Sequence, residues 1–247
     1  MKIKVVVFCV SLLLCFSSGA SAVAISFTDA DGDHLFTNPD NWSIATPGAG
    51  DIANFDLDSV LTGKYGLIQE GDNITVAKMV LSLSTAGKNT LVKMTGGTVT
   101  ATSGIDLGAF HFYDNTFDAA VFDQTGGTVI SNDYWRVGYR SGLSTWRLRD
   151  GTVYCGRLLL QSSWPEMYSR IEIGAGSFSV KYNRVSEIQT MINKGIVKPY
   201  LGIGTIMISF DEAADRTTVW CEGGVVPEPA TIIMLSLGSL LLARKSK

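Results

Sequence analysis

Thr95-Gly96-Gly97-Thr98-Val99 recurs as Thr125-Gly126-Gly127-Thr128-Val129, again as Arg149-Asp150-Gly151-Thr152-Val153, and more weakly as Gly174-Ala175-Gly176-Ser177-Phe178. The second glycine position returns at intervals of 30, 24 and 25 residues. The flanks repeat with it. An alternating strand leads in, as in Leu91-Val92-Lys93-Met94, Ala120 to Gln124 and Trp146-Arg147-Leu148. Another follows, as in Gly104 to Gly108, Tyr134 to Gly138 and Arg157 to Leu160. A unit is therefore strand, glycine turn, strand, turn, strand. Three short strands cannot bury an inner face alone, whereas stacked units share one continuous core. This predicts an all-β chain with a β-solenoid, or β-helix-like, centre. A β-sandwich is the alternative, since it too gives short strands between regular turns. The 30-residue interval carries an insertion, Ala109 to Asp118, expected as a protruding loop.

Working outward, Val185 to Lys194 reads as the one helix of the central region. Val185, Ile188, Met191 and Ile192 share a face, Ser186 is the expected N-cap, and Gly195 ends it. Strands over Thr205 to Phe210 and Thr217 to Cys221 follow, around an Asp211 to Arg216 turn. Together these form a small α/β cap. The expected organisation is 23–60 as an N-terminal cap segment, 61–180 as solenoid repeats and 181–224 as the C-terminal cap, with targeting segments at 1–22 and 225–247.

The first of those targeting segments has Lys2 and Lys4, a 12-residue apolar run from Val5 to Phe16, and the small-x-small pattern Ala20-Ser21-Ala22. That is a secretion signal with signal peptidase cleavage after Ala22, or after Ala24 by the same rule. Leu14 before Cys15 argues against a lipoprotein signal. Twelve residues rise only about 18 Å as a helix, too little for roughly 30 Å of hydrocarbon. At the other end, Val226-Pro227-Glu228-Pro229 precedes 14 apolar or small residues, Ala230 to Ala243, and then Arg244-Lys245-Ser246-Lys247. The prolines keep the approach extended, the apolar stretch barely spans a membrane, and the terminal cations stay on the cytoplasmic side.

This tail resembles the PEP-CTERM sorting signal of Gram-negative bacteria over about its last 23 residues, with Val226, Pro227, Glu228, Pro229, Arg244 and Lys245 in the matching positions. The resemblance implies handling by an exosortase-type membrane enzyme and association with exopolysaccharide-producing envelopes. Upstream, Asp33 to Phe36, Asn41-Trp42-Ser43 and Pro47 to Asp51 resemble the opening segment of many repetitive PEP-CTERM proteins, with Phe36 standing where that pattern often has Trp. An opening segment of this kind would cover the first coil, whose bare strand edges invite aggregation.

Residues 23–133 hold 4 bases and 14 acids, residues 134–226 hold 11 and 8. A nucleic-acid partner is disfavoured by that balance. Cys155 and Cys221 are the two cysteines outside the signal segment, and their spacing neither demands a disulfide nor makes a zinc site. The two histidines lie 77 residues apart, and no nucleophile elbow, zinc-protease motif or phosphate loop is present. No cofactor is implied. The expectation is an exported, non-catalytic structural or adhesive protein of the cell surface or extracellular matrix. The alternative is a polysaccharide lyase or hydrolase that assembles its site from separate coils of a β-helix.

Two constellations merit a place in the structure. Asp29, Asp31 and Asp33 sit within five residues as at the start of a calcium loop, but no Glu stands at the twelfth position, so an acidic turn is the default. Arg136, Arg140, Arg147 and Arg149 interleave with Tyr134, Trp135, Tyr139 and Trp146. In register they would make an arginine ladder for carboxylate or sulfate groups of an acidic polysaccharide. Otherwise they are a solvated face balanced by Asp133 and Asp150, with both tryptophans in the core.

Overall fold

The computed structural model describes residues 22–57, 62–81, 90–108, 120–138, 144–160 and 169–224. Residues 1–21, where the expected secretion signal falls, the Ala109 to Asp118 insertion, Arg140 and residues 225–247, where the expected sorting tail falls, lie outside them. Thirteen strands form a β-solenoid of about five turns. In chain order they are β1 (Ala24–Phe27), β2 (Ile52–Phe55), β3 (Gly66–Ile68), β4 (Asn73–Leu81), β5 (Thr90–Met94), β6 (Thr98–Leu107), β7 (Ala120–Val137), β8 (Ser144–Leu160), β9 (Ser169–Ile173), β10 (Ser177–Lys181), β11 (Val197–Pro199), β12 (Thr205–Asp211) and β13 (Arg216–Glu222). An α-helix, α1 (Val185–Asn193), lies between β10 and β11.

The pairing is parallel from coil to coil and separates into three faces. The first runs β3, β5, the start of β7, the start of β8, β9 and β11. The second joins the start of β4 to the start of β6, then the middles of β7 and β8, and β10. The third joins β1, β2 and the C-terminal ends of β4, β6, β7 and β8. Parallel partners 23 to 30 residues apart distinguish a solenoid from a sandwich, whose neighbouring strands run antiparallel.

Alternation sends every second side chain inward, and register stacks equivalent side chains. The first face contributes the column Val92, Phe122, Trp146, Ile171 and Val197; the second Ile74, Val99, Val129, Val153 and Phe178; the third Ala53, Met79, Ile105, Trp135 and Leu158. All are buried. Fully burying one such aliphatic or aromatic side chain stabilises by about 1.5–3 kcal/mol, so repeated columns supply the core that no coil has alone. Corners fall at the glycine motifs, where Gly127 adopts φ +76°.

Both ends are closed by non-repeating chain. At the N-terminal end, β1 and β2 belong to the third face, and the segment after β1 folds over it. Trp42 bridges Phe27, Ser43 N–H donates to the Ser26 carbonyl at 2.9 Å, and Phe36 N–H donates to the Leu67 carbonyl at 2.9 Å. Phe27, Phe36, Trp42 and Phe55 pack with ring centroids 4.7 to 5.9 Å apart, and Trp42 Nε1 donates to the Phe36 carbonyl at 2.7 Å. Phe36 is fully buried in this plug.

At the other end α1 buries Ile188 and Met191. It stops as the sequence suggests: Gly195 takes φ +72°, with Gly195 N–H on the Ile192 carbonyl and Ile196 N–H on the Met191 carbonyl. Its start differs. Ser186 is not the N-cap; Arg184 holds that position without a side-chain cap, and Ser186 lies inside the first turn. The reason is tertiary: Thr217 on β13 accepts from Arg184 N–H at 2.8 Å and donates to the Tyr182 carbonyl at 2.9 Å, fixing the entry two residues earlier. The β12–β13 hairpin forms as expected, and β13 adds antiparallel to β10.

Candidate functional site

On the first face the outward position between the core columns carries Lys93, Asp123, Arg147, Glu172 and Lys198, stacked in that order by register. Signs alternate at every step. Arg147 Nε lies 3.6 Å from Glu172 and Lys198 Nζ 3.1 Å from the same carboxylate. Arg149, at the corner of the same coil, grips Asp123 through Nε at 2.7 Å and Nη2 at 2.5 Å. Lys93 Nζ sits 3.9 Å from the centre of the Tyr65 ring, which stacks on His34 at 4.0 Å. Arg147 and Arg149 therefore do share a face, opposite the buried Trp146 and Leu148. Arg147 is flanked by carboxylates of the coils on either side.

Arg136 belongs to the third face. Its column places Asp106 on the preceding coil, and Arg136 Nη1 is 3.4 Å from that carboxylate. Lys78, from the coil before, reaches the same group at 2.5 Å. Asp106 is 3 % exposed, so two cations converge on a buried carboxylate. Burial is the largest single influence and would lower the Lys78 ammonium, but the hydrogen bonds it donates to Asp106 and Tyr134, with the charge attraction of the same groups, together raise it above its ordinary value. The Arg136 guanidinium stands 4.8 Å from the centre of the Tyr134 ring. Arg157 pairs with Asp133 at 2.6 Å. Trp135 and Trp146 are both fully buried. Asp150 accepts from Gly151 N–H at 2.6 Å.

The sequence reading thus found the arginines but not their partners. Lys78, Asp106, Asp123, Glu172 and Lys198 carry no local motif. Aligning the 24- to 30-residue intervals column by column would have found them, because register alone brings them together. Replacing Arg149 with alanine should cost about 1 kcal/mol, the upper end for an ion pair that keeps some contact with solvent, and the loss should shrink in high salt. A double-mutant cycle with Asp123→Ala in urea unfolding measures the coupling.

The acidic turn is a hydrogen-bonded knot. Buried Asp29 accepts from His34 N–H at 3.0 Å and faces His34 Nδ1 at 2.6 Å. Asn38 Nδ2 donates to Asp31 at 3.0 Å and to Asp33 at 2.7 Å, while Asn41 Nδ2 donates to Asp33 at 2.5 Å. Lys64 Nζ closes it on the Thr28 and Asp29 carbonyls. Among the described residues no group of three or more His, Cys, Asp or Glu is placed to hold a metal ion.

The Leu35 N–H and then the Asn38 amide hold the Asp33 carboxyl below its ordinary value; burial opposes them, and Asn41 and the nearby His34 each add a lesser push in the same downward direction. A depressed carboxyl stabilises the folded state fully above its unfolded pKa, about 3.9, and that contribution disappears as pH falls through the folded value. Asp33→Asn should therefore flatten the acid limb of thermal stability below about pH 4. Melting curves from pH 2 to 6 test this, and an unchanged acid limb would count against it.

Cys155 and Cys221 are free thiols. Cys155 aligns with Val180 and, through it, with Thr217, whereas Cys221 lies four residues further along β13. That is about 13 Å of strand, beyond disulfide reach. Among the described residues no helix is long and apolar enough to cross a membrane. No known protein family, curated protein or solved structure matches the chain.

Proposed function

We propose that this chain is an exported, non-catalytic structural or adhesive protein of the cell surface or extracellular matrix, addressed by its PEP-CTERM-like tail to an exosortase-type enzyme and associated there with exopolysaccharide. The observation that carries the reading is the alternating ladder Lys93, Asp123, Arg147, Glu172, Lys198. The charges of this column are engaged with neighbouring coils, an arrangement that holds a rod together. A catalytic groove would instead gather carboxylates or cations around an open space. The plugged N-terminal end fits the same reading, since a protein outside the cell must keep its strand edges from indiscriminate pairing.

Mass spectrometry of the native protein from cells with and without the processing enzyme is the test. The expected result is a mature N-terminus at Val23 or Ile25 in both, and a C-terminus near Gly224 only where the enzyme is present. An intact tail in both strains would overturn the sorting role. Turnover of an acidic polysaccharide by the secreted protein would overturn the non-catalytic one. Polysaccharide contact through the ladder is read from retention on an acidic polysaccharide column, which Arg147→Ala with Arg149→Ala should reduce; unaltered retention removes that contact.

A further inference from the structure

The two ends of the solenoid are finished differently. The N-terminal segment wraps β1 and β3, and residues 22–76 carry one lysine against nine carboxylates. The second face does begin there with an edge, Asn73 to Val76, but it is four residues long, exposes Asn73 and Thr75, and is preceded by Glu70 and Asp72. The C-terminal end closes on β12, which pairs with β13 and, among the described strands, with no other. β12 reads Thr-Ile-Met-Ile-Ser-Phe-Asp. It has none of the lysines, prolines or bulges by which edge strands are blunted. Ile206, Met207, Ile208 and Phe210 are half-buried, and beside them Leu201 is 63 % and Ile203 43 % exposed. Residues 181–224 hold five bases and five acids, so no net charge opposes a second copy at this end.

We propose that two copies of this chain join tail to tail, β12 pairing antiparallel with β12 of the other copy about a two-fold axis at Ile208. That register opposes Ile208 to itself, Ile206 to Phe210, Met207 to Ser209 and Thr205 to Asp211. Ile208, Ile206 and Phe210 then meet apolar partners across the axis, and the two Asp211 carboxylates lie at opposite ends of the pairing. All seven residues pair, which a head-to-tail contact with the four-residue Asn73 edge does not offer. An isologous contact of this kind closes on itself, leaving the two acidic ends pointing outward, where like charge keeps dimers apart.

Sedimentation of the full chain in detergent micelles, together with Ile208→Cys under mild oxidation, tests the pairing. Directly opposed residues in an antiparallel pair come within about 4.5–5.5 Å at Cβ, close to disulfide reach. Ile208→Cys should give a covalent dimer, while Thr205→Cys, which faces Asp211 of the other copy, should not. The native thiols give little background, since burial pushes Cys155 up to about 12 and also raises Cys221. Met207→Lys with Ser209→Lys places lysines against lysines across the axis but at outward positions of the single chain. This variant should sediment as a monomer, at half the parent mass, with an unchanged β-sheet circular dichroism signal. A monomeric parent at high concentration, a ladder of trimers and longer species, equal crosslinking of Thr205→Cys, or persistence of the dimer in the double-lysine variant would each overturn the proposal.

Discussion

Gly127→Ala is expected to destabilise the solenoid strongly, costing about 2–5 kcal/mol, of which about 1–2 comes from the left-handed backbone and about 1–3 from overlap. Gly127 has φ +76°, and a β-carbon there would stand 2.6 Å from the Gly96 carbonyl carbon and oxygen and 2.6 Å from the Gly97 oxygen. All three are backbone atoms of the coil beneath, held in place by Thr128 N–H on the Gly97 carbonyl at 2.9 Å. No side chain can swing away to make room, so the coils must separate locally. Gly71→Ala is the control. Gly71 has φ +90° with nothing within 4 Å of its would-be β-carbon, so only the backbone cost of about 1–2 kcal/mol applies. Urea unfolding midpoints compare the two, and their difference isolates coil contact from backbone strain. Equal losses would mean that the coils do not meet closely at this corner. A chain with total stability of about 5–15 kcal/mol loses much of it to the first change and little to the second.

The same corner shows what the amino-acid sequence made legible. Gly97, Gly127 and Gly151 were visible because a turn that needs a left-handed residue, repeated in three successive coils, leaves a repeated glycine. Strand alternation around them gave Trp135 and Trp146 to the core, and both are there. The coils could therefore be counted, but the sharing of their faces could not be read so directly. Arg136 and Arg147 lie eleven residues apart in one arginine-rich stretch, yet register puts them on different faces. Their partners come from coils above and below, at distances set by insertions such as Ala109 to Asp118. Ser186 failed as a cap for a similar reason: a local rule lost to Thr217, 31 residues away. The contacts hardest to see were those in which a polar side chain is buried for the benefit of another coil, and Gln124 is the clearest of them.

Gln124 occupies an inward position, stacked between Met94 and Leu148, and is fully buried. Its Nε2 donates to the Gly127 carbonyl at 3.2 Å and to the Thr152 carbonyl at 3.3 Å, and its Oε1 accepts from Trp146 Nε1 at 3.3 Å. Trp146 in turn stacks on Phe122 at 4.2 Å and meets Trp135 edge-on at 4.5 Å. Trp146→Ala should therefore cost more than a cavity. Removing the ring forfeits about 3–5 kcal/mol of packing, and leaving the Gln124 oxygen buried without a donor adds about 1–3 kcal/mol. Trp146→Phe separates the two, because a ring still lies against Phe122 while the donor is gone; its loss should be smaller by at least about 2 kcal/mol. Adding Gln124→Leu to Trp146→Phe should then recover part of that loss, since apolar partners leave no orphaned oxygen. It should not recover all of it, because the same amide ties the Gly127 turn to the next coil through Thr152. Urea unfolding of the three variants followed by circular dichroism gives the comparison. If Gln124→Leu made the phenylalanine variant less stable still, Gln124 would be acting chiefly as a clasp on Gly127 and Thr152, and Trp146 would matter for its packing alone.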